Sequence, residues 1–272
     1  MPLQDDLGKR MKTYYEEIPR TKLMRRTPVA ICVDGKAFHT YTRGFRKPFD
    51  EVLTCAMQET MRYLCENVQG CVLGYTQSDE ITMLLVDYQS LDASACFDYE
   101  VQKMCSIAAS MATLAFAKAF QKEAIRCISI AGDTPDYQRT LQAAMEKGAM
   151  FDARVFNIPK EEAANLLYWR QLDAIRNSIL TFGQAHFSHK QLQGRSCAQI
   201  RELLLTEKGI NWEQLPLHLQ RGSCCVKEIY LEAGVQRKRW SVDLHIPIFK
   251  SEGGEYINEQ LLLQPEQNEA EK

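Results

Sequence analysis

Two apolar runs, CVLGYTQ (Cys71–Gln77) and ITMLLVDY (Ile81–Tyr88), are separated by only three residues, Ser78, Asp79 and Glu80. Each run is short and rich in strand-forming residues, so the pair reads as two strands joined by a tight turn. That hairpin constrains the fold more than any other segment. A plain hairpin closes readily with Asn-Gly or Asp-Gly. Here the chain sets two carboxylates at the turn, which asks for a reason beyond turn chemistry.

The surrounding elements give the hairpin a context. PVAICVD (28–34) reads as a buried strand ending at Asp34-Gly35. Asp50 is placed to cap a helix whose apolar residues recur at Val52, Leu53, Ala56, Met57, Met61, Leu64 and Val68. A long helical segment follows over about residues 93–124, and then MFDARVFNI (150–158), a strand bounded by Pro159. The order β-α-β-β-α-β predicts an α+β fold with a ferredoxin-type sheet and helices on one face. In that order the first strand pairs with the third. The end of the first strand, at Asp34, should then lie beside the turn that carries Asp79 and Glu80.

Three carboxylates gathered at one edge repel each other, and partial burial raises the cost. A cation between them is the natural remedy. Hard oxygen ligands suit Mg²⁺, which keeps waters and completes its shell with substrate phosphates. Two such ions serve phosphoryl chemistry. Neighbouring strand residues face opposite ways, so Asp79 and Glu80 should differ: Asp34 and Asp79 as direct ligands, Glu80 in the outer shell or recruited by a second ion. Gly35 allows its carbonyl a close approach. Lys47, Lys103, Arg170 and Arg176 are cations able to clamp a triphosphate, and His39 sits in an aromatic loop close behind Asp34.

Bulk properties narrow the class. The net charge is −2, so no global field draws nucleic acid. A polyanion would have to meet a local cluster: Pro19–Arg26, Arg43–Lys47 or Gln236–Trp240. The ten cysteines include no CxxC pair, and several sit in apolar patterns as small hydrophobes. His186 and His189 form an HxxH near Cys197, without an evident fourth ligand for zinc. The opening MPLQDDLGKRMK is polar, unlike a signal peptide, and no apolar run approaches the ~20 residues of a membrane helix. The expectation is a cytoplasmic protein.

The blocks VDGKAFHTYTRGFRKPFDE, GYTQSDEITMLL, FDARVFNIP, WRQLDAIRNSI, GINWEQLP and RGS, taken in order from about Arg26 to Lys227, resemble the tRNA-histidine guanylyltransferase family. The resemblance implies a polymerase-palm-like fold, with residues 1–158 a catalytic domain that includes an N-terminal helix. Residues 159–272 would be a helical and β-hairpin part packed on it, and the Glu- and Gln-rich composition of 253–272 by itself leads one to expect a frayed tail. The resemblance implies addition of nucleotides to the 5′ end of tRNA, two Mg²⁺ ions, activation of a 5′ monophosphate by ATP or GTP, and attack by the 3′-hydroxyl of the incoming nucleotide. Asp34, Gly35 and Asp79 match its metal-binding positions, with Glu80 beside them. Nucleotide contacts are expected at Gly35, Lys36, Ala37, Phe38, His39, Lys47, Ser78, Lys103 and Asn211. Contacts to tRNA are expected at Arg170, Arg176, Asn177 and Arg201, and the assembly is expected to be a homotetramer.

Two departures bear on specificity. A His-Ile-Asn-Asn block of the histidine-specific branch is replaced by Ile175-Arg176-Asn177-Ser178, and an Arg before the strand-one Asp is Cys32. The chain is more similar to the guanylyltransferase-like branch, which repairs 5′-truncated tRNAs by copying the opposite strand of the acceptor stem, so that base pairing chooses the nucleotide. A single-guanosine addition specific to histidine tRNA is the near alternative. A palm-type nucleotide cyclase fits less well, because its Gly-Gly-Asp-Glu-Phe hairpin matches QSDEI loosely. A non-catalytic RNA-binding module lacks its aromatic strand in MFDARVFNI.

Overall fold

The computed structural model describes residues 6–90, 92–130, 134–232 and 235–262. Helix α1 (Asp6–Met11) runs into a π-helical turn over Lys12–Glu16. There follow β1 (Val29–Gly35), α2 (Phe38–Tyr41), α3 (Glu51–Asn67), β2 (Cys71–Gln77), β3 (Glu80–Leu85), α4 (Val101–Ser129), α5 (Pro135–Lys147) and β4 (Phe151–Asn157). The C-terminal part contributes α6 (Lys160–His186), α7 (His189–Leu192), α8 (Cys197–Lys208), α9 (Leu217–Arg221), β5 (Ser223–Glu232), β6 (Val235–Asp243) and α10 (Glu255–Leu261). The six strands form one antiparallel sheet in the order β4-β1-β3-β2-β5-β6.

β1 and β3 are buried along nearly their whole length, apart from Asp34 and Glu80 at their ends, because helices cover both faces of the sheet and not one face as the element order suggested. One face carries Val29, Ile31, Val33, Ile81 and Met83 against Met57, Met61 and Leu64 of α3 and Phe116 and Phe120 of α4. The other carries Ala30, Tyr75 and Leu84 against Ala163 and Leu167 of α6 and Ile257 and Leu261 of α10. A third cluster joins the far half of α6 to α8 through Ile179, Phe182, Ile200, Leu204 and Trp212. Each of the larger aliphatic and Phe side chains among them contributes roughly 1.5–3 kcal/mol by leaving water.

The register places Asp34 opposite Glu80 on β3 and opposite Asp152 on β4. Behind Asp34, an aromatic ladder pins the chain. Phe38 packs on Phe116 and Phe151, Tyr41 packs on Phe116 and Phe120, and Phe45 stacks on Phe120 with centroids 5.7 Å apart.

Several boundaries differ from the sequence reading. Helix α5 is an addition. Its sequence is mostly polar, and only Tyr137, Leu141 and Ala144 are buried. The tail is not frayed from residue 253. Residues 255–261 form α10, anchored by Ile257 and Leu261, while residues 263–272 lie outside the described residues. The last strand begins at Val235, so the basic run Arg237–Arg239 lies within β6, and the chain leaves the sheet after Asp243. Among the described residues, no helix is long and apolar enough to cross a membrane.

Candidate active site

The turn between β2 and β3 is tighter than three residues. Gln77 pairs with Glu80, so only Ser78 and Asp79 form the loop, and Ser78 adopts a left-handed φ of 50°. Glu80 is already the first residue of β3. Asp79 and Glu80 therefore diverge because one sits in a turn and the other on a strand. The backbone N–H of Gly35 donates to the Asp79 carbonyl at 3.1 Å, which ties the end of β1 to the turn. Ala37 is likewise left-handed, at φ 52°. Strain in non-glycine residues on both sides of a carboxylate pair is the kind that packed surroundings must hold in place.

The carboxylates have different company. Ser78 Oγ donates to Asp79 Oδ1 at 3.0 Å. Burial pushes the Asp79 carboxyl above the usual carboxylate range, against the Ser78 bond, and the nearby Asp34 charge pushes the same way. Glu80 is also raised, chiefly by burial, while Arg170 counteracts. Arg170 reaches from α6 and sets Nη1 3.3 Å from each Glu80 oxygen, with its guanidinium over the Trp169 ring at 4.4 Å. Arg154 of β4 lies 3.5 Å from Asp34 Oδ2 and 3.4 Å from Asp152 Oδ1.

Asp34, Gly35, Ser78 and Asp79 open into a cleft of about 740 Å³. One wall is the loop that carries His39, Arg43, Arg46 and Lys47. The other is uncharged, with Asn177 and Ser178 of α6 and Gln220 and Ser223 from the entry into β5. Ala37 and Phe38 also line it, Phe38 with its ring in the core. Lys36 has an exposed side chain and donates its backbone N–H to the Met150 carbonyl at 2.8 Å.

The other expected residues, Asn177 apart, lie outside the cleft lining. Lys103 stands near the start of α4, over the Phe97 ring, beside the segment that leaves β3 at the end of the sheet away from Asp34. Asn211 accepts the Glu213 N–H at 2.9 Å as a helix cap. Arg201 pairs with Glu213 and Arg176 with Asp173, and Asn177 also donates to Asp173. The sequence singled out neither Arg154 nor the wall at Gln220 and Ser223. Arg154 becomes visible only through the β1–β4 register.

Among the described residues, no three His, Cys, Asp or Glu side chains converge to cage an ion. Glu80 is held by Arg170 instead, so the expected trio resolves into a pair. Two carboxylates beside a backbone carbonyl still fit Mg²⁺, which takes one or two protein carboxylates and fills the rest of its shell with water and phosphate.

A family model described as tRNAHis guanylyltransferase matches residues 8–159. A tRNA(His) guanylyltransferase of Schizosaccharomyces pombe is 27% identical over 243 residues, covering 84% of each chain. A bacterial tRNA(His) guanylyltransferase-like protein, solved in complex with ATP, superposes with a TM-score of 0.80 at 40% identity, covering 95% of this chain and 100% of that one. A structure of a bacterial protein of the same description in complex with GTP gives 0.78 at 36% identity over the same shares.

Proposed function

This chain belongs to the tRNAHis guanylyltransferase family and is a nucleotidyltransferase, and from that premise we propose that it adds nucleotides, template-directed, to the 5′ end of truncated tRNA. The observation that carries the proposal is the meeting of Asp34 and Asp79 at the head of a cleft whose near wall bears Arg43, Arg46 and Lys47. Carboxylates beside cations suit a substrate that brings both a metal ion and a triphosphate. The complexes of similar bacterial proteins with ATP and with GTP support the same class of ligand.

The reaction has two transfers. A 5′-phosphate oxygen of the RNA attacks the α-phosphorus of ATP or GTP, and pyrophosphate leaves. The 3′-hydroxyl of the incoming nucleotide then attacks the activated 5′ phosphate, loses its proton, and expels the nucleoside monophosphate. Asp34 and Asp79, with the Gly35 carbonyl, would hold two Mg²⁺ ions, which when bound activate the attacking oxygen and stabilise the leaving one. Ser78 orients Asp79. Lys47, Arg43, Arg46 and His39 draw in the phosphates, and Ala37 and Phe38 shape the floor. Glu80, fastened to Arg170, steadies the strand end beside the ion pair.

Specificity follows from what α6 lacks at position 175, next to the cleft wall. Ile175, which replaces a His of the histidine-specific branch, packs against the third core cluster and offers no polar edge to a base. Choice of nucleotide then falls to base pairing with the opposite strand of the acceptor stem, and the protein reads shape and end. We assign residues 1–158 as the palm-like catalytic part, and 159–272 as the part that closes the cleft and meets tRNA. In a homotetramer one tRNA spans subunits.

The test is incubation with a tRNA lacking its first 5′ nucleotide, Mg²⁺ and labelled GTP. Label joined to the 5′ end supports the proposal. A labelled cyclic product without RNA, or RNA binding with no product, contradicts it.

A further inference from the structure

The loop that carries Arg43, Arg46 and Lys47 is fastened from the side by α5, an element far from the carboxylates in sequence. Tyr137 Oη donates to Asp50 Oδ2 at 2.7 Å. The same oxygen accepts the backbone N–H of Arg46 at 3.0 Å, and Oδ1 accepts that of Leu53 at 3.1 Å, so one carboxylate caps α3 and holds the loop together. The Arg46 guanidinium lies 4.1 Å from the centre of the Tyr137 ring. At Gly44, φ 88°, an added Cβ would come within 3.2 Å of Thr140 on α5, so the loop backbone rests on the same helix. Asp50 is 5% and Tyr137 6% exposed. Burial and the neighbouring carboxylate push the Tyr137 hydroxyl far above its usual range, so it stays a donor at neutral pH.

We infer that Tyr137 is a positioning residue for triphosphate binding, a latch that holds Asp50 and, through it, the Arg43–Lys47 loop toward the cleft. The inference rests on the nucleotide reading of that cleft. Arg43, Arg46 and Lys47 are like charges with every reason to spread apart when no anion is present. A latch that fixes their backbone beforehand spares the ligand the cost of ordering it. Tyr137 touches no reacting atom in this scheme. Its effect reaches the substrate through Asp50 and the Arg46 backbone.

The experiment is calorimetric titration of the full chain with GTP, and separately with inorganic triphosphate, in Mg²⁺. Wild type is compared with Tyr137→Phe, which keeps the ring and removes only the donor. The expected result is a rise of about tenfold in Kd for both ligands, the scale of one hydrogen bond to a charged group, with the circular-dichroism melt within about 4 °C of wild type. Unchanged Kd values overturn the latch. So does weaker GTP binding with undiminished triphosphate binding, because the effect would then lie on the nucleoside side. If Tyr137→Phe fails to fold, Asp50→Asn carries the same test: Asn still caps a helix well but turns an amide where Tyr137 and Arg46 both donate. A wild-type chain that binds neither ligand overturns the nucleotide reading itself, and the latch with it.

Discussion

Asp79 is a carboxylate held where burial disfavours its charge. Its carboxyl is raised in the folded chain by burial and by Asp34. Its contribution to stability is therefore complete below the unfolded carboxylate range and is lost as pH rises through the folded value. At neutral pH without metal the ionised group is a net cost. Asp79→Asn should abolish nucleotidyl transfer yet melt higher than wild type in EDTA at pH 7, by about 2–4 °C, with the gain shrinking as the pH is lowered toward 4. A lower melt at pH 7 would contradict this reading. Glu80 is raised by burial as well, but unlike Asp79 it has a counter-charge, Arg170, that works against the shift. Both side chains are largely buried, at 26% and 17% exposed. Arg170→Met leaves Glu80 without its counter-charge and should cost on the order of 3 kcal/mol in urea unfolding. The double variant with Glu80→Gln should recover most of that loss. Equal losses in the single and double variants would show that the pair is not the cause.

At the scale of elements, the site depends on where β1 ends. Gly35 accepts no side chain: an added Cβ would fall 2.2 Å from the Phe38 ring, which Tyr41, Phe116 and Phe151 hold in place. Gly35→Ala should cost about 1–3 kcal/mol by thermal melt and reduce transfer more than that loss explains, because α2 and the loop behind it must shift. Full activity would show that this junction tolerates movement. The junction was legible in the sequence for a physical reason. Strands covered on both faces appear as unbroken apolar runs, and their order alone brings Asp34 to the Ser78–Asp79 turn. Helix α5 was missed although Tyr137, Leu141 and Ala144 recur at helical spacing, because its short sequence is mostly polar. Its marks were the Thr134 cap, Pro135 in the first turn and Gly148 after the last. The uncharged wall was hidden because His218, Gln220 and Ser223 reach the cleft only once β5 pairs with β2, a contact some 150 residues long-range. Lys103 shows the converse: a matching motif position can lie at the other end of the sheet.

For the whole molecule, binding and folding are linked. A ligand held at 100 times its Kd adds about 2.7 kcal/mol of stability. GTP with Mg²⁺ should therefore raise the melting temperature of wild type by several degrees, and leave Asp34→Ala unmoved. A homotetramer should give a light-scattering mass of four chains, and a mass of one chain would remove the proposal that tRNA spans subunits. Template-directed 5′ addition at the Asp34–Asp79 site stands or falls on one assay. Truncated tRNAs that differ only in the acceptor-stem base opposite the missing nucleotide are incubated with all four labelled nucleoside triphosphates and Mg²⁺. The nucleotide joined to the 5′ end should follow the opposing base, and Asp34→Ala and Asp79→Ala should each abolish addition while remaining folded. Addition of guanosine regardless of the opposing base, or full activity in either variant, would contradict it.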